Sequence, residues 1–598
     1  MEWFRFIRET IWHNAGFGSL RSIRRHIEDY EPWFEPQIVP FPDSEEGDRS
    51  AESKDGEIPP VEASKPAKAA YPQARYYSVA DYRQMFLEGT LTPTDVAEAI
   101  LPLIRRDIPE PSEHAIAWFE TKVERVLAAA RASTERYKDG RSLGPLDGIP
   151  TAVKDEYDMD GYRTCLGSVN TYTAVPPEGE SPSTWCVRKL EEAGAVILGK
   201  LSMHEFGLDT TGNNPFYGTP RNPHNRDYYT GGSSSGTGYS VAAGLIPIGL
   251  GSDGGGSIRI PSSMCSVFGL KPTHGRLSFR PGQNHCVTCA TLGPIAADVE
   301  SLAAVFQVIG QPHPTSAFPP LKPLNLLASP SAHPDKKKIL GIPVDWFSRA
   351  TPAIQTLCYN MIRRLAAEKG YTTVDITIPF LPEGQIAHAL TVLGDAATLL
   401  PYPHDTSNLT HANRILLALG RVTPATDYIL ALKLRKLLMQ HLAWLWKEYP
   451  GLLIMTPTTA CEGLPIKSES ELKWGVNDGD LTLASMEFVW LANFCGLPSI
   501  SVPAGFVNVA PGPEAKKEMK KNKSKKIKGS SSGASLEDAA EEEKQPQIPV
   551  GLMAMGEWCA EEQLLQFGLM AEEVGADLRR RPSNWVDVVQ RAKEVHGR

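Results

Sequence analysis

No stretch of this chain approaches the roughly 18 uninterrupted apolar residues of a membrane-crossing helix, so no transmembrane segment is expected. Cysteine is scarce: nine in 598 residues, odd in number and scattered. That pattern excludes a disulfide framework and points to reduced thiols in a reducing compartment, hence a cytoplasmic location. Positive charge is not in excess. The net charge of −9 leaves nucleic-acid binding without bulk electrostatic support. Cys286-Val-Thr-Cys289 is only half of a zinc signature, and no second pair stands at ligand spacing, so no metal is expected.

What the chain does have is concentrated in residues 229–276. Two glycine-rich, serine-bearing turns sit there, Gly231-Gly232-Ser233-Ser234-Ser235-Gly236 and Gly254-Gly255-Gly256-Ser257. The apolar run 241–250 between them reads as a buried helix end followed by a buried strand, a rigid support for both turns. Glycines let successive backbone N–H groups point at one spot. The N–H groups of Gly254, Gly255, Gly256 and Ser257 would thus form an oxyanion hole beside the Ser257 hydroxyl. A serine nucleophile needs a base, and no histidine occurs in this stretch before His274. Ser233, on the facing turn, could relay the proton to Lys154, which ends an apolar strand-like run at 149–153. Burial lowers a lysine pKa, and a neutral lysine is a competent general base.

These residues resemble the amidase signature family of serine hydrolases. The family words here are GGSSSGTG and SDGGGS, joined by GPLDGIPTAVKDEYDMDGYRTCLGS, EEAGAVILGKLSMHEFG, GLKPTHGRLS and LANFCGLPSISVPAGF. Two departures are mild: Ser235 stands for a glycine, and Ser252 for the usual threonine of the nucleophile block. The resemblance spans roughly residues 76–598. It implies a triad of Lys154, Ser233 in a cis peptide linkage, and nucleophilic Ser257. It also implies an α/β fold, with one large mixed sheet covered by helices on both faces, and no cofactor.

Two further motifs are decoys. Residues 194–201 fit a phosphate loop except that Leu201 replaces the Mg²⁺-binding hydroxyl. Residues 249–254 spell a dinucleotide fingerprint, but Gly255, Gly256 and Pro261 follow where a helix should. Asp253 and Arg259 flank the nucleophile and read as an ion pair bracing the turn. His204 and His274 read as structural.

The first 42 residues place Trp3, Phe4, Ile7 and Ile11 on one helical face. Packing on the protein body or a partner subunit is favoured; peripheral membrane contact is the alternative. Residues 43–71 read as a flexible linker, so 1–75 form an N-terminal extension and 76–598 the amidase domain. A charged insertion at 511–547, basic then acidic, reads as a disordered surface loop rather than an import signal. Ser78 and Thr92 read as helix N-caps. Helical patterns are expected at 116–137, 184–193, 352–369, 412–419, 427–449 and 560–574, and strands at 195–198, 339–344 and 452–455. The helices at 412–419 and 427–449 are candidates for covering the site and shaping an acyl pocket.

The expected reaction is hydrolysis of a small-molecule carboxylic amide through an acyl-enzyme. The alternatives are an amidotransferase subunit, a specialised biosynthetic amidase, and a catalytically silent interaction protein. A homo-oligomer is compatible with all of them. Residues 1–71 and 513–546 are expected to be dispensable for chemistry, because every matched motif lies outside them. Asp155 is expected to face away from Lys154, since adjacent strand residues alternate.

Overall fold

The computed structural model describes residues 5–40, 74–282, 286–326, 337–400, 405–512 and 545–597. The expected linker, and all but the edges of the charged insertion, lie outside these residues.

Eleven strands form one mixed sheet. They are β1 (Trp118–Glu120), β2 (Pro150–Lys154), β3 (Val196–Leu201), β4 (Ile248–Asp253), β5 (Phe268–Lys271), β6 (Thr291–Ala296), β7 (Ile339–Ile342), β8 (Thr372–Asp375), β9 (Leu452–Pro457), β10 (Ser499–Asn508) and β11 (Gln547–Met555). Their order is β1-β3-β2-β4-β6-β5-β10-β11-β9-β7-β8. β2 runs parallel to β3 and β4, β7 runs parallel to β8 and β9, and the centre is antiparallel. Every residue of β2, β4, β5, β6 and β9 is buried. Side chains alternate between faces along a strand, so both faces of the sheet are covered, as expected for α/β architecture.

Nine helices matter below: α1 (Arg5–Asn14), α2 (Pro93–Ile104), α3 (Ser235–Ala242), α4 (Val299–Ile309), α5 (Leu381–Ala396), α6 (His411–Val422), α7 (Ala425–Glu448), α8 (Gly479–Ser485) and α9 (Glu561–Val574). Local sequence sets several boundaries. Thr92 caps α2 with a capping box completed by Asp95, and Ser78 does the same with Asp81 for the helix Val79–Leu87. The helix Pro352–Lys369 starts with proline in its first turn and ends where Gly370 turns left-handed at φ 71°.

The expected helix at 116–137 is broken. Trp118–Glu120 instead forms the edge strand β1, antiparallel to β3, and helix begins only at Val123. Trp118 is fully buried there, so a tertiary partner overrides a helical pattern that was locally plausible.

Among the described residues no single helix is long and apolar enough to cross a membrane; α6 and α7 pass such a test only as a pair bent by 91°. The N-terminal segment packs on the body, as the favoured reading held, but not through the face that suggested it: Trp3 and Phe4 lie outside the described residues, and Ile7 and Ile11 are only half-buried. Trp12, Phe17, Leu20, Ile23 and Ile27 are buried in the main core. Arg21 pairs with Asp427 of α7 at 2.7 Å, and Glu35 lies 3.6 Å from the His274 ring.

Candidate active site

The two serine turns lie at adjacent ends of the same scaffold. β4 delivers residues 254–257 at its C-terminal end, and α3 begins two residues after Ser233. Ser234 ties the turns together: its N–H donates to the Ser257 carbonyl at 3.3 Å and its hydroxyl to the Ser252 carbonyl at 3.2 Å. The Gly232–Ser233 peptide is cis. On either side of it, the Gly232 N–H donates to the Thr210 carbonyl at 2.6 Å and the Ser233 carbonyl accepts from the His204 N–H at 3.1 Å.

Lys154, at the end of β2, is fully buried. Its Nζ lies 2.7 Å from the Ser233 hydroxyl and 2.7 Å from the Ser252 hydroxyl. The third neighbour is Glu156, whose Oε2 is 3.3 Å from Nζ and accepts the Ser252 hydroxyl proton. Burial pushes the Lys154 pKa below the ordinary lysine value, while the Glu156 carboxylate pulls it back up. Asp155 faces away, as strand alternation required. It pairs with Lys200 at 2.9 Å and accepts the N–H groups of Cys165 and Gly167. Lys200 is the lysine of the false phosphate loop, and its loop interior is β3.

Sequence reasoning missed Glu156. Strand periodicity does not reach it: β2 ends at Lys154, and a turn in which the Glu156 N–H donates to the Lys154 carbonyl at 2.7 Å brings the carboxylate back to the amine.

The nucleophile turn is braced by a buried ion pair. Arg259 Nε and Nη2 each donate to the Asp253 carboxylate at 2.9 Å, and Nη2 also reaches Asn493 Oδ1 at 2.6 Å. Burial alone would raise the Asp253 pKa; the Arg259 guanidinium overrides it and holds the carboxyl well below its usual range. Removing one partner of such a pair costs on the order of 3–5 kcal/mol.

Asp253 also changes the expected oxyanion site. Its Oδ1 accepts the Gly256 N–H at 2.6 Å and its Oδ2 the Ile258 N–H at 3.1 Å. The Gly256 N–H is thus committed to holding the turn and is not the free oxyanion donor the sequence suggested. Gly256 sits at φ 105°, a conformation open to glycine and little else. Gly254, Gly255 and Ser257 remain at the cavity surface. A second unpredicted contact holds this loop: His388 of α5 meets the Gly254 carbonyl through Nε2 at 2.8 Å. His388 stands in a region without motifs, and only the packing of α5 over the turn reveals it.

Glu156, Ser233, Ser252 and Ser257 open on a shared cavity of about 400 Å³. The rest of its wall is largely apolar. α5 contributes Ile386, Ala389 and Val392, and α6 contributes Ile415, Leu416 and Leu419. α8 adds Leu483, followed by Met486 just beyond its end. Of the two helices expected to shape the pocket, α6 does so; α7 lies behind, packed on α5. α1 completes the wall with Ile11 and Asn14, and Ala15 and Phe17 follow it. The start of the N-terminal extension is therefore part of the cavity wall, a place that the expected dispensability of residues 1–71 for chemistry did not foresee. The motif argument failed here because an apolar wall has no signature. Residues 513–544 of the insertion lie outside the described residues.

Cys286 lines the cavity. Cys289 is buried behind it, where Arg435 Nη2 donates to its sulfur at 3.3 Å.

The family model described as Amidase matches residues 108–565. A fatty acid amide hydrolase from Medicago truncatula is 30% identical over 585 residues, covering 95% of this chain and 89% of that relative. One from Arabidopsis thaliana is 32% identical over 513 residues, 82% of each chain. A solved structure from work on the evolutionary origins of an s-triazine catabolic enzyme superposes with a TM-score of 0.67 at 26% identity. It covers 84% of this chain and 100% of the other.

Proposed function

The chain belongs to the amidase family, hydrolases of amide carbon–nitrogen bonds, and from that premise we propose that it cleaves amides of long apolar acyl groups through a Ser257–Ser233–Lys154 triad. The observation that carries the acyl preference is the cavity itself, which joins the serine turns to an apolar wall built from α1, α5 and α6. The relatives described as fatty acid amide hydrolases support the same substrate class.

In this mechanism the acyl chain lies along Ile386, Val392, Ile415 and Leu419, with its carbonyl carbon at Ser257. Ser257 Oγ attacks that carbon as its proton passes to Ser233 Oγ, which releases its own proton to neutral Lys154 over the 2.7 Å contact. The Gly254, Gly255 and Ser257 N–H groups stabilise the oxyanion, and the Gly256 N–H fixes the loop that presents them. Lys154 returns a proton through Ser233 to the departing amine. Water then attacks the acyl-enzyme by the reverse relay and releases the acid. Ser252, which accepts from Lys154 and donates to Glu156, keeps the amine aimed at Ser233.

The test is a chain-length series of amides of one amine, from acetyl to hexadecanoyl. Each methylene buried contributes about 0.8 kcal/mol, so kcat/KM should climb about threefold to fourfold per methylene until the cavity is filled. A flat series, or a preference for acetyl, refutes the acyl assignment.

A further inference from the structure

α1 has two working faces. Ile11, Asn14 and Ala15 turn toward the catalytic cavity, while Arg5, Arg8 and Trp12 turn toward a second cavity of about 410 Å³. The spacing of three and four residues within each set puts each on one face of the helix, and the two faces adjoin, since Ile11 follows Arg8 by three.

The second cavity is basic. Its wall carries Arg5, Arg8, Arg21 and Arg421, with His13 beside them and Glu9 as its carboxylate. Asp427 stands behind Arg21 and holds it in a bidentate pair at 2.7 and 2.8 Å. Glu9 takes Arg5 at 2.7 Å. Arg8 has a different standing: its Nε is buried and has no hydrogen-bond partner among the described residues. The walls are set by packing, since Trp12 is buried, donates to Thr423 Oγ1 at 3.0 Å and lies under the Arg21 guanidinium. In a chain of net charge −9, a concave site lined by four arginines, two of them paired above with carboxylates, runs against the overall field.

We propose that this cavity is a binding site for a phosphate group, held by the arginines of its wall with Arg8 as the chief contact. Planar guanidinium forks match the oxygens of a tetrahedral oxyanion, and a partly dehydrated pocket strengthens each charge-assisted bond. The group can come from soluble phosphate or from the head group of an anionic lipid, and both sources present the same oxygens. Occupancy would fix the outer face of α1 and, through it, the wall at Ile11 and Ala15.

The experiment compares the full-length protein with the Arg8→Gln/Arg421→Gln double variant. In the first arm the unfolding midpoint is followed as sodium phosphate replaces sodium chloride at constant ionic strength. In the second, binding to vesicles of phosphatidylcholine with and without phosphatidic acid is measured by sedimentation. A ligand that binds only the folded chain raises the midpoint by mass action, so a rise of about 2 °C at saturation is expected for a soluble source. Selective sedimentation with phosphatidic acid is expected for a lipid source. Either response must disappear in the double variant. Should that variant not fold, Arg8→Gln alone must at least halve the response. The proposal is overturned if wild type responds to neither probe, or if the variants respond as strongly as wild type.

Discussion

Replacing Glu156 with glutamine isolates the opposition that sets Lys154. Desolvation lowers the lysine pKa, and a carboxylate 3.3 Å away raises it. At an effective dielectric constant of about 20, a charge pair at this separation interacts by at most about 5 kcal/mol. Reorganisation of Ser252, which donates to Glu156, absorbs part of it. The Lys154 pKa is therefore expected to fall further in Glu156→Gln, because burial then acts without the opposing carboxylate. In the proposed mechanism the resting lysine must be neutral, so kcat/KM rises with pH as Lys154 loses its proton. The rising limb of Glu156→Gln should therefore move to lower pH, with the variant relatively more active on the acid side. The assay is kcat/KM for a chromogenic acyl amide from about pH 5 to 10, with circular dichroism at each pH. Lys154→Arg is the control: arginine stays protonated, so this variant should be inactive across the range. A rising limb that stays in place or moves to higher pH, or turnover by the arginine variant at neutral pH, refutes the general-base assignment.

Ser257→Ala should lower kcat by about 10⁴-fold or more and abolish labelling by a fluorophosphonate; labelling that persists on another residue would move the nucleophile. Ile11→Asp places a carboxylate in the apolar wall that α1 lends to the cavity. KM for a dodecanoyl amide should rise about tenfold or more while acetamide turnover is unchanged, and an equal effect on both substrates would count against the wall assignment. Glu572 is pushed up to about 8 by burial and by neighbouring Asp298, with Arg579 opposing, and it accepts the Val299 N–H at 2.9 Å. The folded protein thus holds a proton that the unfolded chain releases above the ordinary glutamate value near 4.5. Stability should fall as pH rises toward 8, and Glu572→Gln should flatten that fall in thermal midpoints taken from pH 5 to 9.

The sequence by itself determined the elements whose chemistry is local. The glycine–serine turns, the apolar strand before Lys154, the capping boxes at Ser78 and Thr92, and the helix from Pro352 to Gly370 follow from residues within a few positions of one another. The Asp253–Arg259 brace and the outward turn of Asp155 were also legible, because short spacing and strand alternation limit where those side chains can go. Tertiary structure alone decided the rest. It made Trp118 a strand residue by giving it β3 as a partner. It withdrew the Gly256 N–H by placing Asp253 beneath it and brought His388 across 134 residues to the Gly254 carbonyl. It also carried α1 from the far N-terminus to the cavity wall. Each of these is a contact between segments distant in the chain or a competition for one donor. Hydrophobic burial drives such contacts without regard to sequence separation, so no local pattern encodes them.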